Sequence, residues 1–271
     1  MSSAIDLHIH TSASDGVSSP REVVHRAARL GVSTIAITDH DTVSGLDEAL
    51  REAAGRGVRV IPGVEISSEH DGVPAHILGY SVDCLEPAFA RRLAHFTEAR
   101  LERARTITDR LGELGVRLSW DDVLDEGQDG AIGRPHIARV MVRAGYVESV
   151  EEAFCRYLNH GQKAYVPREK VTPPEAIQLI HQAGGLAVLA HPWNVIFLLE
   201  SLVSEGLDGL EVYYRDYDSC QQGRLGWLAR EHGLVATGGS DYHGPAPGAF
   251  PLGGVRVPQE CVTMLDARHA E

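Results

Sequence analysis

The segment His8-x-His10, followed by Asp15-Gly16, sets two imidazoles two residues apart near the start of the chain. In an extended strand, alternation with period two puts both on one face. A strand pointing into a barrel ordinarily presents Val, Ile or Leu there, so paired inward histidines must bind something or have their nitrogens satisfied by other means. The same anomaly recurs further along: Thr38-Asp39-His40-Asp41-Thr42, Glu65 within GVEIS, His76 opening HILGY, Ala190-His191-Pro192, and Gly239-Ser240-Asp241-Tyr242-His243. Packing does not select nitrogen and oxygen donors at the ends of strand after strand, and metal binding does. The candidate ligands are His8, His10, Asp15, His40, Glu65, His76, His191, Asp241 and His243. A catalytic ion takes about three or four protein ligands and leaves a position for water, so this set predicts two to three ions sharing a carboxylate. Mixed imidazole and carboxylate donors suit Mn²⁺, Zn²⁺ or Fe²⁺ better than Mg²⁺ or Ca²⁺. Asp39, beside a candidate ligand, reads as a supporting residue. His25, His95, His181 and His232 fall within helical patterns, and no role is assigned to them, to His70 or to His269.

These donors must be delivered by strands, and β-branched runs supply them: IDLHIH (5–10), STIAITD (33–39), VRVIPGVEI (58–66), AHILGYSV (75–82), LAVLAHP (186–192), DGLEVYY (208–214) and LVATGGSD (234–241). Amphipathic helical patterns separate most of them, as in PREVVHRAARLG, where Pro20 comes early and Gly31 follows the last turn. The βα rhythm predicts a parallel sheet or closed barrel with helices outside. It breaks between residues 86 and 175, where a long helical stretch over 87–114 and several shorter ones predict a helical insertion. The expected organisation is therefore a barrel from 1–85 and 176–271, with 86–175 contributing to substrate binding.

The net charge of −13 argues against a protein that grips a long polyanion. Residues 134–170 are the exception, with seven basic side chains against four acidic ones and both lysines of the chain, Lys163 and Lys170. No run suits a membrane span, and Asp6, His8 and His10 interrupt the segment where a signal peptide would need a continuous apolar core. Four dispersed cysteines form no C-x-x-C pair, which fits a reducing cytoplasm. No obligate protein partner is evident.

In their order and identity, DLHIHTSASDG, ITDHDT, GVEIS, HILGY, AHP and GSDYH resemble the polymerase and histidinol phosphatase (PHP) superfamily of metal-dependent phosphoesterases. The resemblance implies a distorted (β/α)7 barrel of the α/β class, in agreement with the strand count, and a trinuclear site. One ion would take His8, His10, Glu65 and Asp241, a second Glu65, His76 and His191, and a third Asp15, His40 and His243. Within the superfamily, Gly133-Arg134-Pro135-His136 and Gly161-Gln162-Lys163-Ala164-Tyr165-Val166-Pro167 resemble the branch of nucleoside 3′,5′-bisphosphate phosphatases and 5′→3′ exoribonucleases. A metal cluster holds one phosphate; a second needs cationic donors, which Arg134, His136, Lys163 and Arg168 could supply.

The expected chemistry is in-line attack by a metal-bridging hydroxide held at Glu65, His191 and His243, on the 5′-phosphate of a nucleoside 3′,5′-bisphosphate or near the 5′ end of a short oligoribonucleotide. No grip on a duplex is expected. Competing readings are a monoesterase of the histidinol-phosphate type, a zinc amidohydrolase, and a metal-stabilised interaction module without catalysis. The basic insertion counts against the first two and the nine ligand positions against the third.

Overall fold

The computed structural model describes residues 4–127, 130–245 and 249–271. Its strands are β1 (Ala4–Ile9), β2 (Val32–Ile37), β3 (Arg59–Ile66), a small hairpin of β4 (Glu69–His70) and β5 (Val73–Pro74), then β6 (Ile77–Tyr80), β7 (Leu186–Leu189), β8 (Gly209–Tyr214) and β9 (Val235–Gly239). The helices are α1 (Pro20–Leu30), α2 (Leu46–Ala53), α3 (Pro87–Glu113), α4 (Trp120–Gly127), α5 (Arg134–Arg143), α6 (Val150–Ala153), α7 (Pro173–Gln182), α8 (Leu199–Ser204), α9 (Ser219–Glu231) and α10 (Gln259–His269). A π-helical turn spans Phe154–Leu158 and a 3₁₀ segment Pro192–Leu198. No helix among the described residues is long and apolar enough to cross a membrane.

Seven strands form one sheet in the order β1-β2-β3-β6-β7-β8-β9, matching the seven runs expected from sequence. Its two edges meet. The His10 N–H donates to the Tyr242 carbonyl at 2.8 Å, and the Ser240 N–H donates to the buried Asp6 carboxylate at 2.8 Å, so β1 and the end of β9 nearly close a barrel. The sheet is not wholly parallel, however: β6 runs antiparallel to both β3 and β7. A parallel neighbour needs a crossover of roughly a dozen residues or more, and only the β4–β5 hairpin lies between β3 and β6. This reversal sets the position of His76. It precedes β6, yet because that strand runs backwards its start lies at the same rim as the ends of β1, β2 and β3.

Helix α1 shows why local sequence suffices for the outer layer. Ser19 and Glu22 form a reciprocal capping box, Pro20 opens the helix, and Gly31 ends it at φ 72°. The insertion is less separate than its boundaries suggest. Phe89, Leu93 and Phe96 of α3 pack into the barrel's apolar core, whereas Ala104, Ile107 and Leu111 of the same helix join Ile137, Met141 and Leu158 in a second cluster. One long helix thus belongs to both cores and fixes the insertion over the barrel rim.

Barrel closure generates a stability prediction. A Cβ at Gly239 would collide with the backbone and Cβ of His8, whereas one at Gly31 would meet nothing within 4 Å. Gly239→Ala should lower the melting temperature by roughly 5–10 °C, as expected for overpacking of about 3 kcal/mol. Gly31→Ala, which is strained only by its positive φ, should cost less. Differential scanning calorimetry of both variants checks the order.

Candidate metal centre

Glu65, at the end of β3, is the point on which the site converges. Its carboxylate is 1% exposed. Oε2 lies 3.3 Å from His8 Nε2, 3.2 Å from His10 Nε2 and 3.2 Å from His40 Nδ1, while Oε1 lies 2.9 Å from His76 Nδ1 and 3.2 Å from His191 Nε2. Asp241 brings Oδ1 to 3.6 Å from His8 Nε2, 3.2 Å from His10 Nε2 and 3.5 Å from His243 Nδ1. Asp15 approaches His243 at 3.3 Å, His10 at 3.7 Å and His40 at 4.0 Å. All nine residues singled out in the sequence are therefore brought together by folding.

Two observations test whether these residues fit metal ions. Donors arranged tetrahedrally at about 2.1 Å from one ion lie roughly 3.4 Å apart, which is the spacing found here. His10 is the second. It is fully buried, and neither ring nitrogen has a hydrogen-bond partner despite carboxylate oxygens at 3.2–3.7 Å. Its donors are aimed at a shared space rather than at one another, which is the arrangement an ion resolves. Groups of ligand atoms mutually within 4.8 Å include His10, Asp15, His40 and His243; His8, His10 and Glu65; and His40, Glu65 and His76.

Without a cation the imidazoles and carboxylates must balance each other. Burial alone would raise the Glu65 carboxyl, but His40, His8 and His76 hold it well below the usual range. Asp15 and Asp241 are likewise held low by histidines that outweigh burial. His40 is pushed down to about 3, chiefly by burial, whereas Asp241 and Glu65 outweigh the burial of His10 and hold it up to about 10.

A supporting layer fixes the donors, and most of it is not evident from the sequence. Glu211 of β8 is fully buried; His8 Nδ1–H donates to its Oε1 at 2.9 Å, and the His191 backbone N–H to its Oε2 at 2.6 Å. The first bond selects the His8 tautomer that leaves Nε2 free. The second holds His191 at φ 30°, a left-handed conformation costly for a non-glycine residue. Tyr214 donates to Asp241 Oδ2 at 2.9 Å, and Arg215 reaches the same oxygen at 3.3 Å, which keeps Oδ1 turned toward the histidines. The signal for Glu211 was present in GLEVYY, a lone carboxylate inside an apolar run. Asp39 accepts from the Thr11 N–H and hydroxyl, each at 2.7 Å, and so braces the loop after β1 as a supporting residue.

A cleft of about 380 Å³ opens beside the cluster, lined by Asp15, His40 and His76 and by Arg100, Arg103, Arg134 and Arg168. Arg100 is committed to Asp41, with Nε donating at 2.8 Å. Arg134 is differently placed. It donates to the Leu158 carbonyl at 3.0 Å, and its guanidinium lies 5.4 Å from the Phe154 ring and 5.9 Å from that of Tyr165. Burial, and then the neighbouring Arg168 and Arg100 cations, push its pKa down. Burial and Arg134 lower Arg103 to about 10. Crowded, partly desolvated cations of this kind are positioned for an anion supplied from outside.

Of the four expected substrate contacts, Arg134 and Arg168 line this cleft, and two do not. His136 is 1% exposed; its Nδ1 accepts the Gly133 N–H at 2.9 Å and caps α5, and burial, aided by Arg139, pushes it down to about 4. Its Nδ1 is thus spent on the helix. Lys163 is exposed on the turn after the π-helical segment, outside the cleft wall. Arg100 and Arg103, not foreseen, stand in the cleft instead, and His160 lines it with its ring 5.1 Å from Tyr165.

A barrel rim bearing a buried cluster of imidazoles and carboxylates, beside a cationic cleft, defines a metal-dependent hydrolase acting on anionic esters. Comparison with known proteins makes the class specific: the PHP domain signature matches residues 6–160, and the chain belongs to that family of metal-dependent phosphoesterases. It is 39% identical over 256 residues to the 5′-3′ exoribonuclease Rnm of Salmonella typhimurium, covering 89% of this chain and 86% of that one. It is 36% identical over 257 residues to a 3′,5′-nucleoside bisphosphate phosphatase of Chromobacterium violaceum, covering 92% and 90%. Among solved structures, a Bifidobacterium adolescentis protein assigned to the metal-dependent phosphoesterases superposes with a TM-score of 0.90 at 34% identity, covering 99% of this chain and 97% of that one. A C. violaceum amidohydrolase holding sulfate and no metal superposes at 0.87 and 35%, covering 98% and 96%.

The role of Glu211 can be measured without turnover. Glu211→Ala should weaken metal affinity about 10- to 100-fold, and Glu211→Gln, which keeps an acceptor for His8, should weaken it less. Competition with a chromophoric chelator gives both values.

Proposed function

We propose that the protein hydrolyses nucleoside 3′,5′-bisphosphates and short 5′-phosphorylated oligoribonucleotides, using two to three divalent transition ions drawn from Mn²⁺, Zn²⁺ and Fe²⁺. The observation that carries this reading is the set of arginines lining the cleft beside the cluster, which would receive a second phosphate besides the one at the metals. The expected ion assignments are His8, His10, Glu65 and Asp241; Glu65, His76 and His191; and Asp15, His40 and His243, although His40 lies nearer Glu65, at 3.2 Å, than Asp15, at 4.0 Å. When bound, the ions supply a nucleophilic hydroxide near neutral pH and neutralise charge on the phosphoryl oxygens. Four cysteines outside any disulfide support a cytoplasmic location.

The chain's own residues do the rest. Glu65 would be shared between two ions, since it offers Oε2 to one group of histidines and Oε1 to another. Arg134, Arg103 and Arg168 bind the phosphate that does not react, and the Phe154 and Tyr165 rings give the base an apolar wall.

The activities named for the two relatives support one orientation. Removing a 5′-phosphate does not shorten RNA. Breaking the P–O3′ bond of the terminal nucleotide does: water adds to phosphorus, O3′ leaves and takes a proton, and the remaining chain keeps a new 5′-phosphate. The same bond in a bisphosphate releases orthophosphate and a 5′-mononucleotide. We therefore place the 3′-phosphate at the metals and the 5′-phosphate at the arginines, the reverse of the orientation expected from sequence. A monoesterase of the histidinol-phosphate type gives the arginines of the cleft no purpose.

Steady-state kinetics test this with three substrates: a 3′,5′-bisphosphonucleotide and the matching 3′- and 5′-monophosphates. Wild type should prefer the bisphosphate to the 3′-monophosphate and leave the 5′-monophosphate intact. Arg134→Ala should lower kcat/KM for the bisphosphate about 10- to 100-fold, the worth of one charged hydrogen bond, with little change on the 3′-monophosphate. Equal activity of wild type on all three would refute the second phosphate site, and preferential loss of the 5′-phosphate would reverse the orientation.

A further inference from the structure

On the proposed function, an RNA with its first nucleotide in the cleft continues past the cluster over residues that do not line the cleft. His76 and His191 both contact Glu65 Oε1, but only His76 lines the cleft. His191 lies beyond it. The 3₁₀ segment that follows His191 carries Phe197, whose ring is 64% exposed. Its ring lies 6.4 Å, edge to face, from His70, whose side chain is 46% exposed. His70 belongs to the β4–β5 hairpin, in which Glu69 lines the cleft; alternation sends the next residue to the opposite face of the hairpin, away from the cleft. Phe197 and His70 thus come from separate elements, each within a few residues of a candidate ligand, and meet just outside the cleft. The segment is anchored, since the Trp193 N–H donates to the Tyr217 hydroxyl at 2.9 Å and the two rings lie 6.3 Å apart.

We propose that Phe197, flanked by His70, is a stacking subsite for the base of the second nucleotide of a 5′-phosphorylated RNA, the nucleotide on the far side of the scissile bond. An exposed aromatic face binds any base, because every base offers a π-face and no hydrogen-bond reading is needed. The subsite distinguishes an oligonucleotide from a bisphosphate mononucleotide, which has nothing to place there.

The test compares a nucleoside 3′,5′-bisphosphate with a 5′-phosphorylated dinucleotide on wild type, Phe197→Ala and Phe197→Trp. Phe197→Ala should lower kcat/KM for the dinucleotide about tenfold, the size of one base-stacking contact, and leave the bisphosphate within about twofold. Phe197→Trp should restore the dinucleotide rate. A 2-aminopurine in the second position should be quenched by wild type and not by Phe197→Ala, a readout independent of turnover. No selective loss on the dinucleotide, or equal loss on both substrates, overturns the subsite. Failure of the function beneath it looks different: a wild type that shortens the dinucleotide but leaves the bisphosphate intact refutes the bisphosphate reading, and the Phe197→Ala result on the dinucleotide still decides the subsite.

Discussion

A carboxylate buried to 1% exposure, with five imidazole nitrogens within 3.3 Å, is the constraint around which this molecule is built. Removing Glu65 from water without compensating positive charge would be strongly unfavourable, and so would burying the histidines without hydrogen-bond partners. Each compensates the other only partly, as the unpartnered nitrogens of His10 show. Cations complete the balance. The barrel makes this possible by bringing the ends of five strands, and the start of one reversed strand, to a single rim.

The insertion solves a second electrostatic problem. Four arginines lining one cleft repel each other, and they are held there by an apolar scaffold rather than by pairing alone. Helix α3 reaches from the barrel core to the insertion core, so it places Arg100 and Arg103 with the rigidity of a long helix. The Arg100–Asp41 pair ties that helix to the loop after β2, which also carries His40. Anion binding in the cleft and the geometry of the cluster therefore share one mechanical link.

Much of this was legible in the sequence because it is encoded locally. Period-two runs give strands, and a histidine or acid at the end of such a run stands out against what packing would choose. The direction of β6 is not visible in its own residues, although the short connection from Ile66 to Ile77 carried the information. Charges on loops were the weakest reading, since nothing local dictates whether Lys163 turns in or out. The capping role of His136 was not foreseen for a different reason: at the third position of a helix opened by Gly133 its Nδ1 does the work a glutamate or glutamine usually does there. Glu211 and Tyr214 escaped notice because their value depends on which residues of distant strands they meet.

The central claim is that Glu65 joins two groups of donors into one polynuclear site, and metal stoichiometry tests it most directly. Elemental analysis of wild type and Glu65→Gln, each saturated with Mn²⁺ or Zn²⁺ and freed of excess ion, should show two to three equivalents in wild type and loss of about two of them in the variant, because an amide cannot supply both bridging oxygens. A wild type holding less than about one equivalent, or a variant that keeps the full wild-type complement, would contradict the account.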